Sequence, residues 1–138
     1  MISIEAIDHI VLRTDKYNDL IRFYCDILGC EIVRELADFS LTQLKAGNAL
    51  IDIIDVAGKL GAPGGPAPSD QAHNMDHFCL QIAPFDEQAL MDFLTINNVP
   101  HSDFENRFGA QGFGRSIYIQ DIIGNTIELK PSKTFGYS

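Results

Sequence analysis

Polar and apolar residues alternate along residues 7–13 (IDHIVLR), a pattern that reads as a short strand. The period then changes. Tyr17, Leu20, Ile21, Tyr24, Ile27 and Leu28 fall at helical spacing between Lys16 and Leu28, with Asp15 as the expected N-cap and Gly29 as the stop. Three strands are expected next, at about 30–36, 39–45 and 49–55, with a turn at Ala46-Gly47-Asn48 joining the last two. A stretch rich in Gly, Pro and Ala runs from Ala57 to Asn74, after which residues 77–82 (HFCLQI) restart the pattern. Asp86 is placed to cap a second helix with an apolar stripe of Ala89, Leu90, Phe93 and Leu94, ended by Asn97-Asn98 ahead of Pro100. Strands are expected again near 101–105, 115–120 and 125–130, the last two joined around Gly124-Asn125. The order β-α-β-β-β therefore occurs twice. The fold class expected is α+β, with two tandem modules at about 5–56 and 75–131 and a linker at 57–74. A chain of 138 residues suits one compact domain built by duplication better than two independent domains.

Strand parity sorts the side chains into two faces. Ile10 and Leu12, Ile51 and Ile53, Phe78, Leu80 and Ile82, and Ile127 and Leu129 belong to the more apolar faces, which should pack under the helices. The opposite faces then carry His9, Val11 and Arg13, Asp52, His77, Cys79 and Gln81, and Glu128. Two histidines follow the same residue in each half, as Asp8-His9 and Asp76-His77, and a carboxylate lies between aliphatics in each last strand. If those faces curl into a cleft, His9, Asp52, His77 and Glu128 form a ligand set for a divalent first-row metal with positions left open for substrate. His73 and His101 have no counterpart in the repeat and are expected at the surface.

Composition removes several alternatives. A net charge of -9, with no cluster of Lys and Arg, argues against nucleic acid as a partner. Neither a signal-peptide pattern nor a long apolar run is present, so a cytoplasmic location without membrane insertion is expected. The odd cysteine count, Cys25, Cys30 and Cys79, points to reduced thiols.

With the repeat and these residues in hand, the chain resembles the vicinal oxygen chelate superfamily, in its glyoxalase I and bleomycin-resistance branch. The resemblance rests on Asp8-His9-Ile10-Val11-Leu12-Arg13, on Phe23-Tyr24 through Leu28-Gly29, on Asp76-His77, and on Gly124-Asn125-Thr126-Ile127-Glu128-Leu129. It implies paired βαβββ modules around an open metal-binding cleft, with His9, Asp52, His77 and Glu128 as ligands of Ni, Zn, Mn or Fe. It further implies a lyase or isomerase of the glyoxalase type, moving a proton through a metal-held enediolate of a small substrate with adjacent oxygens. Glu128, or alternatively Asp52, would be the base. Arg13 would meet a substrate carboxylate, Gln81 and Tyr118 would line the cleft, and the working form would be a homodimer. The glycine-rich segment 106–114 reads as a mobile loop that could close over the cleft, or as an ordinary hairpin connection. Two other readings accompany this one. An extradiol dioxygenase would use His9, His77 and Glu128 on iron, although Ile123 stands where those enzymes usually have Tyr. A metal-free drug- or metabolite-binding protein would lack the metal altogether.

Overall fold

The computed structural model describes residues 1–133. These divide into two compact units, residues 1–74 and the part that follows from Met75. In the first, strand β1 (His9–Thr14) leads into helix α1 (Tyr17–Asp26), followed by β2 (Glu31–Leu36), β3 (Leu41–Ala46) and β4 (Ala49–Asp55). The second repeats the order with β5 (Phe78–Ile82), α2 (Glu87–Ile96), β6 (Glu105–Gly109), β7 (Gly112–Gln120) and β8 (Thr126–Pro131). Each unit holds a four-stranded mixed sheet, β1-β4-β3-β2 in one and β5-β8-β7-β6 in the other. In both, the first and last strands run parallel side by side and the rest are antiparallel. This is the α+β fold of paired βαβββ modules expected from the repeat. Among the described residues no helix is long and apolar enough to cross a membrane.

Strand parity places the cores. Leu12, Ile51, Ile53 and Leu44 are buried together with Leu20, Phe23 and Tyr24 of α1. In the second unit Ile117, Ile119, Ile127 and Leu129 are buried, as is Leu94 of α2. Both helices form where the periodicity put them, but their starts differ. Asp86 caps α2 as expected, accepting a hydrogen bond from Ala89 N at 2.9 Å. Asp15 does not cap α1. Lys16 takes the cap position with no side-chain capping bond to the helix, and its own N–H donates to Thr14 Oγ1 at 2.8 Å.

One strand lies elsewhere than its sequence suggested. Of the strand expected at 101–105, His101 forms an isolated bridge to Ile119 and β6 begins only at Glu105. Of the two readings of segment 106–114, the hairpin is the one formed, paired from Glu105↔Ser116 to Gly109↔Gly112. Its glycines gave no alternation to read, and its anchor lies far along the chain. Buried Lys130 donates from Nζ to Arg107 O at 2.6 Å and to Gly112 O at 3.1 Å. Lys133 adds a bond from Nζ to Phe113 O at 2.7 Å.

The start of the linker is also tied down. Arg13 Nη2 donates to Gly61 O (3.0 Å) and Gly65 O (2.6 Å), and its Nη1 to Pro66 O (3.2 Å). Asn74 closes the other end by exchanging two hydrogen bonds with the Arg13 backbone. Space here is tight: a Cβ on Gly61 would overlap the carbonyl of Asp55, and one on Gly64 would overlap the Arg13 guanidinium. Gly61→Ala meets rigid backbone and is expected to cost about 2 kcal/mol or more by urea unfolding. Gly64→Ala meets a side chain that can move, and should cost less.

Candidate metal centre

Each unit builds half of the expected ligand set by the same local construction. In the first, His9 opens β1, and the parallel register sets Val11 beside Asp52, so His9 and Asp52 lie diagonally on one sheet face. His9 Nδ1 lies 2.6 Å from Asp8 Oδ1. With the carboxylate as acceptor, Nδ1 carries the proton and the Nε2 lone pair is left for a ligand. The bond to Asp8 is the main cause of a raised His9 pKa; burial opposes it, and the charge of Asp52 adds to it.

Asp52 is buried, with 4% of its surface exposed. Gln43, its antiparallel neighbour on β3, donates from Nε2 to Oδ2 at 3.2 Å. Oδ1 is buried and has no hydrogen-bond partner among the described residues. A buried carboxylate oxygen left unpaired is costly, and a cation or ordered water relieves it.

The second unit repeats the device. His77 precedes β5, and its Nδ1 lies 2.5 Å from Asp76 Oδ2. Its Nε2 stands 3.4 Å from Oε1 of Glu128, which is buried on β8. Glu128 is flanked in register by Cys79 on β5 and Tyr118 on β7. The registers thus equate Val11 with Cys79, Asp52 with Glu128 and Gln43 with Tyr118. Tyr118 sets its ring edge-on to His77 (centroids 5.3 Å apart), and the Arg107 guanidinium lies over its face at 4.2 Å.

Neither unit by itself gathers three His, Cys, Asp or Glu side chains closely enough to hold a metal ion among the described residues. Each supplies a histidine with its outer nitrogen tied to a carboxylate, together with a buried carboxylate on the same face. Those donors suit a divalent first-row ion, and the unpaired Asp52 Oδ1 is the observation that fits one. Of the other residues expected at the site, Gln81 is exposed on β5 beside Lys130, and Tyr118 packs on His77. The terminal nitrogens of Arg13 are engaged by the linker carbonyls. His73 is exposed, and His101 is bonded to Ser102 O and Thr95 Oγ1.

Sequence reasoning missed Asp8, Asp76, Gln43, Arg107 and Lys130. The repeated Asp-His pair was a signal for the first two. Gln43 could also have been found, because a tight turn at 46–48 sets it opposite Asp52.

The three thiols are free. Burial pushes Cys30 up to about 11, and the packing around the sulfur of surface-exposed Cys79, aided by Glu128, pushes that thiol up to about 11 as well. Alkylation by iodoacetamide at pH 7.5 is therefore expected to be slow at both, at least about tenfold slower than for a small-molecule thiol.

The profile of the Glyoxalase/Bleomycin resistance protein/Dioxygenase superfamily matches residues 6–129, and the chain belongs to that superfamily. No protein of curated function is similar enough to match. Several solved structures share the fold. A virulence protein from Salmonella typhimurium is 23% identical, with a TM-score of 0.78 over 94% of this chain and 98% of its own. Lactoylglutathione lyase from Agrobacterium tumefaciens is 22% identical, with a TM-score of 0.65 over 96% and 97%. The fosfomycin resistance protein FosX from Listeria monocytogenes is 19% identical, with a TM-score of 0.68 over 96% and 97%. A mutant of that FosX has been solved in complex with Mn(II) and 1S,2S-dihydroxypropylphosphonic acid.

Proposed function

We propose that the chain is a metal-dependent lyase or isomerase of the glyoxalase I type, acting on a small substrate with two adjacent oxygens. His9 and Asp52 from one module and His77 and Glu128 from the other would hold the ion, within one chain or across a homodimer. The observation that carries this reading is the buried, unpaired Asp52 Oδ1 beside an Asp-oriented histidine, in a fold whose second module repeats the pairing. Two imidazoles and two carboxylates suit Ni, Zn, Mn or Fe. When bound, such an ion would supply Lewis acidity toward the substrate oxygens.

The chain's own residues divide the remaining work. Asp8 and Asp76 hold the imidazoles in the tautomer that presents Nε2. Glu128 is the base that would carry a proton between adjacent substrate carbons, because it is a buried carboxylate beside His77, with Oε1 3.4 Å from His77 Nε2. Asp52 is the alternative base. Tyr118 and Gln81 would border the substrate. A substrate carboxylate at Arg13 would have to displace the carbonyls of Gly61, Gly65 and Pro66.

The test is metal content of tag-free protein after incubation with Ni, Mn, Fe or Zn, followed by assay of hemithioacetals. About one ion per chain, with turnover of a hemithioacetal, is the expected result. Oxygen uptake with a catechol would replace the lyase reading by the dioxygenase one. No metal under any condition would leave a binding protein.

A further inference from the structure

We infer that Gln43 is the positioning residue of the first half-site, holding Asp52 so that Oδ1 alone is presented to a cation. The inference rests on the metal-binding reading above and concerns how that ion is held. Gln43 and Asp52 are directly paired across β3 and β4, so their side chains rise from the same face of the sheet. The Gln43 amide donates to Oδ2, while Oδ1 stays buried and unpartnered. One oxygen is thereby taken and the other left with its lone pairs, which favours contact with an ion through one oxygen rather than two.

The type of residue matters. A neutral amide fixes the carboxylate without cancelling its charge, whereas Lys or Arg at position 43 would compete with a cation for it. The amide also compensates for the short Asp side chain by setting the rotation of the carboxylate. Without it, nothing in the observed bonding selects one oxygen over the other. The second unit lacks this arrangement. There the matching register position is Tyr118, which turns its ring to His77, and Glu128 meets His77 Nε2 instead. The two carboxylates are thus held differently: Asp52 Oδ2 takes the Gln43 amide, whereas Glu128 Oε1 stands 3.4 Å from His77 Nε2.

Mn(II) titrated into the full chain, with free and bound ion read by electron paramagnetic resonance, tests this. Gln43→Met keeps the length of the side chain and removes the donor. It is expected to weaken Mn(II) binding by ~10–100-fold and to change the bound spectrum, with the circular dichroism of the metal-free protein unaltered. Should that variant fail to fold, Gln43→Asn, whose amide arm is too short to reach Oδ2, carries the same expectation. Wild-type affinity and an unchanged bound spectrum in a folded variant would overturn the role of Gln43 and leave the metal reading standing. Failure of the wild-type chain to bind Mn(II), Ni, Zn or Fe would overturn the metal reading and this inference together.

Discussion

Glu128→Gln is expected to lower turnover of a hemithioacetal substrate by about 10³-fold or more at saturating metal, because general-base removal alone is worth ~10²–10⁴-fold. The substitution keeps the shape of a buried side chain, so the cores on the other sheet face, Ile127 and Leu129, should be undisturbed. It removes a buried carboxylate able to accept a proton next to His77. Loss of a charged ligand should also weaken metal binding, so the comparison must be made at metal saturation. Asp52→Asn is the control. If Glu128 is the base, Asp52→Asn should raise the metal concentration required far more than it lowers the saturated rate. The reverse ranking would assign the base to Asp52, and a Glu128→Gln rate within about tenfold of wild type would remove Glu128 from the proton transfer.

Asp121→Ala is expected to destabilise the protein by about 3 kcal/mol, a large effect for one residue, with a fall in Tm on the order of 10 °C. Asp121 is buried, at 5% exposure, in the turn between β7 and β8. Its Oδ1 accepts from Ile123 N (3.1 Å) and Asn125 N (2.9 Å), and its Oδ2 accepts from Asn125 Nδ2 at 2.8 Å. Removing the carboxylate leaves all three donors without this acceptor in a turn whose Gly124 sits at φ 85°. The loss reaches the site because this turn sets the register that pairs Tyr118 with Glu128. Asp121→Asn keeps an oxygen for the two backbone donors and should cost less than half as much. Urea unfolding of the two variants tests the ranking; equal costs would show that the charge, not the acceptor geometry, holds the turn.

The residues of these predictions differ in how far the sequence exposed them. Glu128 was readable because strand parity set it opposite Ile127 and Leu129, and the repeat matched it to Asp52. His9 and His77 were readable by the same matching. Asp121 stood in a recognised turn, yet nothing local showed that its carboxylate would gather three donors. Gln43 was readable from the turn at 46–48, which sets it opposite Asp52, but its bond to a single carboxylate oxygen was not. Arg13 shows the limit most clearly. The resemblance implied a substrate contact for Arg13, and nothing near it in the sequence showed that its guanidinium would donate to carbonyls about fifty positions along the chain.

The duplicated β-α-β-β-β order, the helix periods, the Asp86 cap and the face on which each strand residue lies were all legible in the order of residues. All of these follow from backbone periodicity and from contacts between near neighbours, which the order of residues encodes directly. The folded chain was needed to show that β1 lies beside β4 and β5 beside β8, that β6 starts at Glu105, that Lys130 anchors the hairpin across from it, and that Asp52 keeps one oxygen unpaired. Those features depend on which distant strands share hydrogen bonds and in what register. That choice is made by the burial of whole faces against each other, and no local pattern contains it.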